Sequence, residues 1–358
     1  LNPSSENFRE ALIKSARADG ERFAAQPQTI YSEFPEKDTC ERMLFMNVNA
    51  LPMLAETVNT WTPPLISGPI PHGDMPGDKV QIGPEHIAKA NTIFPALVPM
   101  AAELARNGRV VITVCGGSGV GKSEIASLLS HYFRTAGVGS YTLSGDNYPK
   151  RIPMYNDAER NRIFRAAGLR GLVEAGVYDE AVKETLSTLW LQETDAEPTL
   201  TEQYPWLKIY QDRGRKALAC YLGTEAEQDY EELSGIIEKF HSGAETLWLK
   251  RMGRTEEERW YDPVDLSDTN VLIIEWTHGN SDFLRGIDIP VLLNSTPEQT
   301  RAHRRSRSRD GKTDSPFTTM VLEIEQAELD SCAHKAKIIL AKTGEQLTYA
   351  QYRAEMGE

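Results

Sequence analysis

The stretch that decides the fold is Val110-Val111-Ile112-Thr113-Val114-Cys115-Gly116-Gly117-Ser118-Gly119-Val120-Gly121-Lys122-Ser123. Its first six residues form a short apolar run, and its last eight satisfy the phosphate-binding pattern GxxxxGK(S/T). From Lys122 to Arg134 the spacing of apolar residues is typical of a helix. The stretch therefore predicts a buried strand, a glycine-rich turn and a helix in direct succession.

The predicted turn is suited to bind phosphate groups. Glycines let the backbone turn until successive N–H groups converge, and the following helix adds the positive end of its dipole. In such a turn Lys122 would reach the β and γ phosphates, and the hydroxyl of Ser123 would hold Mg²⁺. The predicted nucleotide-binding residues are Gly116, Gly117, Ser118, Gly119, Val120, Gly121, Lys122 and Ser123.

The turn has three alternative interpretations. A glycine-rich turn that binds nothing is the plain alternative, but the strand before it and the helix after it favour phosphate binding. A GTPase should carry the guanine-recognition motif Asn-Lys-x-Asp, which the sequence lacks. A dinucleotide-binding turn needs GxGxxG, and Lys122 stands where its last glycine should be.

Composition and charge exclude several classes of protein. The chain has 358 residues, 40% of them hydrophobic and 25% charged, as in ordinary globular proteins. Its net charge of −13 argues against general nucleic-acid binding and against binding to anionic membranes. No apolar run approaches the roughly 18 residues that a bilayer-spanning helix needs. We therefore expect no membrane protein.

The compartment is predicted from the N-terminus and the cysteines. The first residues, Leu1 to Ser5, lack the charged and then apolar order of a secretory signal. The cysteines lie far apart, with no CxxC pair and no neighbouring histidine at zinc-ligand spacing. We expect reduced thiols and a cytoplasmic protein. The cysteines are Cys40, Cys115, Cys220 and Cys332.

The part of the chain before the turn differs from the rest in the spacing of its apolar residues and in its content of Pro and Gly. Helical spacing occurs from Asn7 to Arg22 and from His86 to Arg106, while Thr62 to Gly83 is rich in Pro and Gly. We predict that residues 1–107 form a mainly helical N-terminal extension, wrapped around the rest or appended to it, with an extended loop.

From Arg109 onward strands alternate with helices, which predicts an α/β fold with a parallel sheet. Residues 157–265 read as a mostly helical insertion with a break from Pro198 to Pro205. The predicted nucleotide-binding domain spans 108–345, and residues 346–358 form a C-terminal tail. The later strands are predicted at Ser140 to Leu143, Val271 to Ile274, Ile289 to Leu293 and Lys337 to Leu340.

Two carboxylates follow predicted strands, where ligands bind in open α/β sheets. Asp146 comes after the second strand, and Glu275 ends the most hydrophobic one. One carboxylate beside a γ phosphate can accept the proton of an attacking hydroxyl, and the other can order Mg²⁺. The alternative for Asp146 is a turn or helix cap. A buried Glu275 is costly unless it is paired or bound to a metal.

Five arginines fall within nine residues, from Arg301 to Arg309, in an acidic chain. The segment that follows, Gly311 to Pro316, has the composition of a mobile loop. Guanidinium groups bind phosphate oxygens and can offset the charge that develops in phosphoryl transfer. We predict a lid at about 301–317. A solvated helix face or a nucleic-acid patch is the alternative.

These motifs, in this order, resemble the uridine kinase and phosphoribulokinase family of P-loop kinases. Ser144-Gly145-Asp146-Asn147-Tyr148 is similar to Gly-Asp-Ser-Phe of phosphoribulokinase, and Glu275-Trp276-Thr277-His278-Gly279 to Glu-Gly-Leu-His-Gly. Ala336 to Leu340 is similar to the last core strand. The resemblance covers about 108–345. The chain departs from the family at Trp276, where Gly is usual, and in the spacing from Arg305 to Arg309.

The resemblance implies a three-layer P-loop NTPase fold with ATP and Mg²⁺ as cofactors. It implies that Asp146 is the catalytic base and that Glu275 helps to bind Mg²⁺. The lid arginines Arg304, Arg305 and Arg309 would close on ATP. Arg304 would bind ATP, whereas Arg305 and Arg309, together with Lys122, would be catalytic. Family members are often oligomeric, so the resemblance is compatible with a homo-oligomer, but the sequence does not determine the oligomeric state.

In this family, the residues that recognise the acceptor lie in the stretch that corresponds to the one after Asp146. Basic groups there would suit an acceptor with a carboxylate or phosphate, whereas Asp157 and Tyr155 would suit sugar hydroxyls. Arg213 to Arg215 and Trp260 to Asp262 are further candidates. The predicted substrate residues are Tyr148, Lys150, Arg151, Tyr155 and Arg165.

The sequence thus predicts an ATP-dependent kinase that transfers the γ-phosphoryl group of MgATP to a hydroxyl of a sugar-like, nucleoside-like or polyol acceptor. The alternative is a nucleotide-switched binding or assembly protein in which slow hydrolysis resets a complex. A kinase that phosphorylates nucleic acid would need a basic groove, which the net charge of −13 disfavours.

Overall fold

A six-stranded sheet forms the centre of the computed structural model, which describes residues 49–66, 68, 70, 72–301 and 315–357. Its strand order is β2-β5-β1-β6-β7-β8, and all neighbours are parallel except β7 and β8. A separate antiparallel hairpin is formed by two further strands. The strands are β1 (Val110–Gly116), β2 (Ser140–Ser144), β3 (Thr246–Met252), β4 (Arg259–Asp265), β5 (Val271–Glu275), β6 (Ile289–Leu293), β7 (Ile338–Leu340) and β8 (Gln346–Leu347).

Helices cover both faces of the sheet. Alternate residues of β1 show this, because Val110, Ile112 and Val114 pack into one apolar cluster and Val111 into another. A strand that is buried on both faces reads as a continuous apolar run, as this one does. The helices are α1 (Pro84–Leu104), α2 (Lys122–Thr135), α3 (Pro153–Glu174), α4 (Glu180–Gln192), α5 (Pro205–Ala219), α6 (Tyr230–His241), α7 (Pro316–Cys332) and α8 (Tyr349–Met356).

The predicted three-layer fold is confirmed. Each strand predicted from the sequence is present, and the predicted helix after the glycine-rich turn is α2. The first layer holds α1 and α2, and the opposite layer holds α6 and the hairpin. None of the described helices has the length and hydropathy needed to cross a bilayer.

The described part of the predicted N-terminal extension is wrapped on the sheet. Residues 49–57 are helical, and α1 packs against α2. The ring of Phe94 on α1 lies 4.9 Å from the ring of Phe133 and 5.5 Å from that of Tyr132, both on α2. This part therefore shares one core with the sheet. The boundary at residue 107 stays a prediction, and the helix expected at residues 7–22 lies outside the described residues.

The predicted insertion, residues 157–265, is helical from α3 to α6, and the expected break holds a 3₁₀ turn, Pro198–Thr201. Its end differs from the expectation, because residues 246–265 form the hairpin of β3 and β4 instead of a helix. At the start of β3 the buried Leu247 and Leu249 alternate with the exposed Thr246 and Trp248. That period of two is typical of a half-buried strand.

Helices α3 and α5 cross closely at two glycines. A Cβ on Gly168 would lie 2.5 Å from the ring of Tyr210, and one on Gly214 would lie 2.5 Å from the ring of Phe164. Both rings are fully buried. The absence of a side chain at each glycine therefore sets the distance between the two helices.

We expect Gly168→Ala to destabilise the protein by ~1–3 kcal/mol, because overpacking forces the Tyr210 ring and its backbone to move. Gly235→Ala on α6 is the matched control, since a Cβ there meets nothing within 4 Å. It should stabilise by about 0.5–1 kcal/mol, because alanine loses less entropy in a helix. Thermal unfolding midpoints measure both changes, and a midpoint for Gly168→Ala at or above wild type would contradict the close crossing.

Candidate active site

The glycine-rich turn runs from the end of β1 to the start of α2, as predicted. Gly116, Gly119 and Gly121 have φ values of +148°, +79° and +97°, in the left-handed region that disfavours side chains. A Cβ on Gly116 would also lie 2.6 Å from the carbonyl oxygen of Leu293 on β6. The backbone path therefore requires glycine for both its dihedral angles and its space.

Lys122 and Ser123 begin α2 directly after the turn. The Nζ of Lys122 donates to the carbonyl oxygen of Gly117 at 3.1 Å, so the ammonium group lies over the turn. Phosphate oxygens bound there would meet a positive charge and the N-terminus of a helix, both of which favour anions. The geometry fits the predicted phosphate site.

Glu275 lies beside Ser123, at the carboxyl end of β5. The hydroxyl of Ser123 donates to Glu275 Oε2 at 3.1 Å, and the hydroxyl of Ser144 donates to Oε1. The register of β2 and β5 explains the hydrogen bond from Ser144, because Ser144 and Glu275 are paired residues on these parallel strands. Burial and the nearby Asp146 raise the pKa of Glu275 to about 7. Ser144 was not among the predicted site residues, although it begins the segment Ser144 to Tyr148 that carries the resemblance.

Asp146 lies in a one-turn 3₁₀ helix, Gly145–Asn147, that follows β2. Its side chain is accessible from a cleft, but the cleft walls withdraw enough water to raise the pKa of its carboxyl. Lys122 and Arg160 act in the opposite direction. Asp146 and Glu275 therefore form a pair of mutually repelling carboxylates beside the turn.

The residues present fit a magnesium ion. Mg²⁺ is usually held by one or two protein oxygen ligands together with substrate phosphates and water. The hydroxyl of Ser123 and the carboxylate of Glu275 supply such ligands next to the turn. Within the described ranges, no group of three or more His, Cys, Asp or Glu side chains could hold a metal by itself. The site is therefore suited to a metal that arrives with phosphate.

A cleft of about 910 Å³ opens in front of Asp146. The loop at residues 75–78, the first turns of α3 and the hairpin form its walls. Its polar and aromatic lining includes Asp78, Asp157, Arg160, Glu258 and Trp260. This volume is within the usual range for small-molecule sites.

Arg160 lies in the cleft wall and was missed from the sequence. Its guanidinium pairs with Glu227 at 2.6 Å and with Asp157 and Glu325 at 3.7 Å each. The carboxylates raise its pKa further above its usual range. No signal distinguished Arg160 from its neighbours on α3, because only the helix position decides which arginine turns inward.

None of the five predicted substrate residues lines this cleft. The ring of Tyr148 is fully buried, and Arg151 donates to the hydroxyl of Tyr221 at 2.9 Å. Lys150 and Tyr155 are exposed outside the cleft. Arg165 forms a two-pronged pair with Asp195, at 3.1 and 2.9 Å, and lines a second cavity of about 500 Å³ beside Ser118.

Trp276 lies beneath the turn that carries Asp146. It is 1% exposed, and a Cβ on Gly145 would lie 2.1 Å from its ring. Trp276 stands where the family usually has glycine, and the absence of a side chain at Gly145 leaves room for its ring. Its ring also packs edge-on against His278, with centroids 5.3 Å apart.

The predicted lid falls mostly on residues that the structure does not describe. Arg304, Arg305 and Arg309 lie outside the described residues. Arg301 is described, and it pairs with Glu298 at 2.8 Å in the helix that begins at residue 297. The ATP-binding and catalytic roles of the lid arginines therefore stay predictions.

Comparison with known proteins gives one strong sequence match. The chain is 37% identical over 236 residues to the bifunctional alpha-galactosidase/sucrose kinase AgaSK of Mediterraneibacter gnavus. The match covers 66% of this chain and 20% of that protein, so the chain spans about a fifth of the length of this curated relative. No protein-family model matches the chain.

Two solved structures are similar in part. A possible uridine kinase from Bacillus stearothermophilus has a TM-score of 0.37 at 16% identity, with 70% of this chain and 96% of that chain covered. A protein of Silicibacter sp. TM1040, assigned as a fructose transport system kinase, has a TM-score of 0.39 at 13% identity, with coverages of 69% and 93%.

The sheet order, the glycine-rich turn and the position of α2 are those of the P-loop NTPase fold that the sequence predicts. The curated relative is itself named as a kinase. The resemblance of this chain to the P-loop kinases is therefore confirmed.

Proposed function

We propose that the protein is an ATP-dependent kinase that phosphorylates a hydroxyl group of a sugar-like acceptor. The observation that carries the proposal is the juxtaposition of Asp146, which lines the cleft, with Glu275, whose carboxylate accepts a hydrogen bond from Ser123 directly after the phosphate-binding turn. A proton acceptor, a metal-binding pair and a phosphate-binding turn are the groups that phosphoryl transfer requires.

Each group has a definite role in the proposed reaction. The turn and Lys122 would hold the polyphosphate, and Ser123 and Glu275 would hold Mg²⁺, which when bound would neutralise charge on the phosphates. Asp146 accepts the proton of the acceptor hydroxyl. The acceptor oxygen forms a bond to the γ phosphorus while the bond from that phosphorus to the ADP oxygen breaks. Lid arginines would exclude water, which competes as an acceptor.

The cleft favours a neutral, polyhydroxylated acceptor. Its lining carries the carboxylates Asp78, Asp157 and Glu258, which would repel a phosphate or carboxylate on the acceptor. Carboxylates also accept hydrogen bonds from hydroxyl groups. The ring of Trp260 is 41% exposed and offers an apolar face to a sugar ring. The name of the curated relative supports sucrose as the first acceptor to test.

Asp146→Asn should lower the rate of acceptor phosphorylation by about 10²–10⁴-fold, because the proton acceptor is lost. Binding of MgATP, measured by calorimetry, should stay close to wild type. The assay measures ADP release from ATP with sucrose, monosaccharides, nucleosides and polyols. Unchanged turnover would exclude Asp146 as the base. Slow hydrolysis by the wild type with no dependence on any acceptor would indicate the nucleotide-switched alternative instead.

In wild type, Mg²⁺ should raise the affinity for ATP. In Glu275→Gln this gain in affinity should be about tenfold smaller, because one charged ligand of the metal is lost. Calorimetry with ATP in the presence and absence of Mg²⁺ measures this gain. Affinity for metal-free ATP should not fall, because one negative charge near the phosphates is removed. Glu184→Gln, at an exposed position on α4, is the matched control. Equal Mg²⁺ dependence in both variants would contradict the metal role.

Trp260→Ala should raise the KM for the sugar acceptor by about tenfold, because the apolar face of the ring is lost. The KM for ATP should change little. Trp248→Ala is the matched control, since this tryptophan is on the same hairpin, is 63% exposed and does not line the cleft. If both variants raise the KM equally, the cleft is not the acceptor site.

A further inference from the structure

One segment of the chain contacts several parts of the candidate active site. Residues 72–86, here called the strap, lead from the extended loop into α1. A Cβ on Gly73 would lie 3.6 Å from Glu275 Oε1, so the strap backbone passes beside the candidate metal ligand. The ring of His86 lies against Gly121 of the phosphate-binding turn, where a Cβ would come within 2.9 Å.

Asp74 makes the most specific contacts of the strap. Its Oδ1 accepts from the backbone N–H of Ser144 at 2.7 Å and from the side-chain amide of Asn147 at 3.1 Å. Its Oδ2 accepts from the hydroxyl of Tyr141 at 3.0 Å and from Arg251 at 2.9 Å. The side chains of Asp74 and Arg251 are each 8% exposed.

These contacts hold the short turn that carries the candidate base. Ser144 precedes Asp146 by two residues and Asn147 follows it directly, so one carboxylate oxygen of Asp74 fixes the chain on both sides of Asp146. Asn147 in turn accepts from the backbone N–H of Met252 at 3.0 Å. Ser144 also donates to Glu275.

The other oxygen of Asp74 connects the strap to the cleft wall. Arg251 is on β3, and it pairs with Asp262 on β4 at 3.3 Å as well as with Asp74. Asp74 therefore joins the strap, the turn of Asp146 and the hairpin in a single buried hydrogen-bond network. Such networks specify geometry when every donor finds its acceptor, as the four donors do here.

We propose that Asp74 is a positioning residue for phosphoryl transfer, which holds Asp146 at its working distance from the phosphate-binding turn. The proposal rests on the proposed kinase function. A misplacement of about 1 Å in a reacting group can cost about 10²-fold in rate. A residue that acts through another should therefore lower kcat while leaving substrate affinities nearly intact.

Asp74→Asn keeps the size of the side chain but replaces one carboxylate oxygen with an NH₂ group. That NH₂ group must then face one of the four groups that donate hydrogen bonds to Asp74 in the wild type. We expect kcat with the preferred acceptor to fall at least about tenfold, with KM values for ATP and acceptor changing less than about threefold. Asp212→Asn, at an exposed position on α5, is the matched control and should leave kcat unchanged. Tyr141→Phe removes one donor on the far side of the carboxylate and should cost less than Asp74→Asn.

Two further measurements separate positioning from general loss of stability. Hydrogen exchange in Asp74→Asn should quicken at the amides of Ser144 and Met252 while the amides of α5 exchange as in wild type. In the Asp146→Asn background, followed with radiolabelled ATP, adding Asp74→Asn should cause little further loss, because the base it positions is already absent. An additive loss would overturn the proposal.

The outcomes distinguish this proposal from the proposed function. An active wild type with an equally active Asp74→Asn would overturn the positioning role and leave the kinase function intact. A fall in kcat that is matched by loss of MgATP binding or by unfolding at the assay temperature would also overturn it. A wild type that phosphorylates no acceptor would overturn both.

Discussion

The candidate active site depends on the register of three parallel strands. Glu275 on β5 is the partner of Val114 on β1 and of Ser144 on β2, so β2 and β5 end at the same level and β1 continues for two residues to Gly116. The phosphate-binding turn follows β1, and the turn of Asp146 follows β2. A shift of one residue in either pairing would turn Glu275 to the other face. Strand register therefore brings a phosphate site, a metal pair and a carboxylate base to one edge of the sheet.

The parts of this arrangement that follow local rules could be predicted from the sequence. A continuous apolar run predicts a strand covered on both faces, and a glycine pattern between strand and helix predicts the turn, because both depend only on neighbouring residues. The positions of Lys122, Ser123 and Glu275 follow from these elements. Asp146 could be placed after β2 because acidic groups at strand ends meet at one edge. Their chemical roles remain proposals.

The parts that depend on long-range packing could not be predicted. The hairpin of β3 and β4 differs from the mostly helical insertion that the sequence predicts, since the period of two is limited to residues 246–249 and the charged Lys250 and Arg251 that follow are buried. Arg160 was missed and the five predicted substrate residues do not line the cleft, because long-range packing, which no short motif encodes, decides which side chains face it. Asp74 is in a loop rich in Pro and Gly, about 70 residues before its partner Ser144. No local pattern predicts such a contact.

The strap links the nucleotide and acceptor sides of the site. Its first residues lie beside Glu275, its middle residues line the cleft, and its last lies against Gly121. A rigid element that contacts both sides must adopt one geometry compatible with both ligands. The buried carboxylate of Asp74 makes large independent movements of the strap costly, because its four donors would be left unpaired. The same network holds β3 through Arg251, so the strap, the turn of Asp146 and the hairpin are expected to keep their relative positions when a substrate binds.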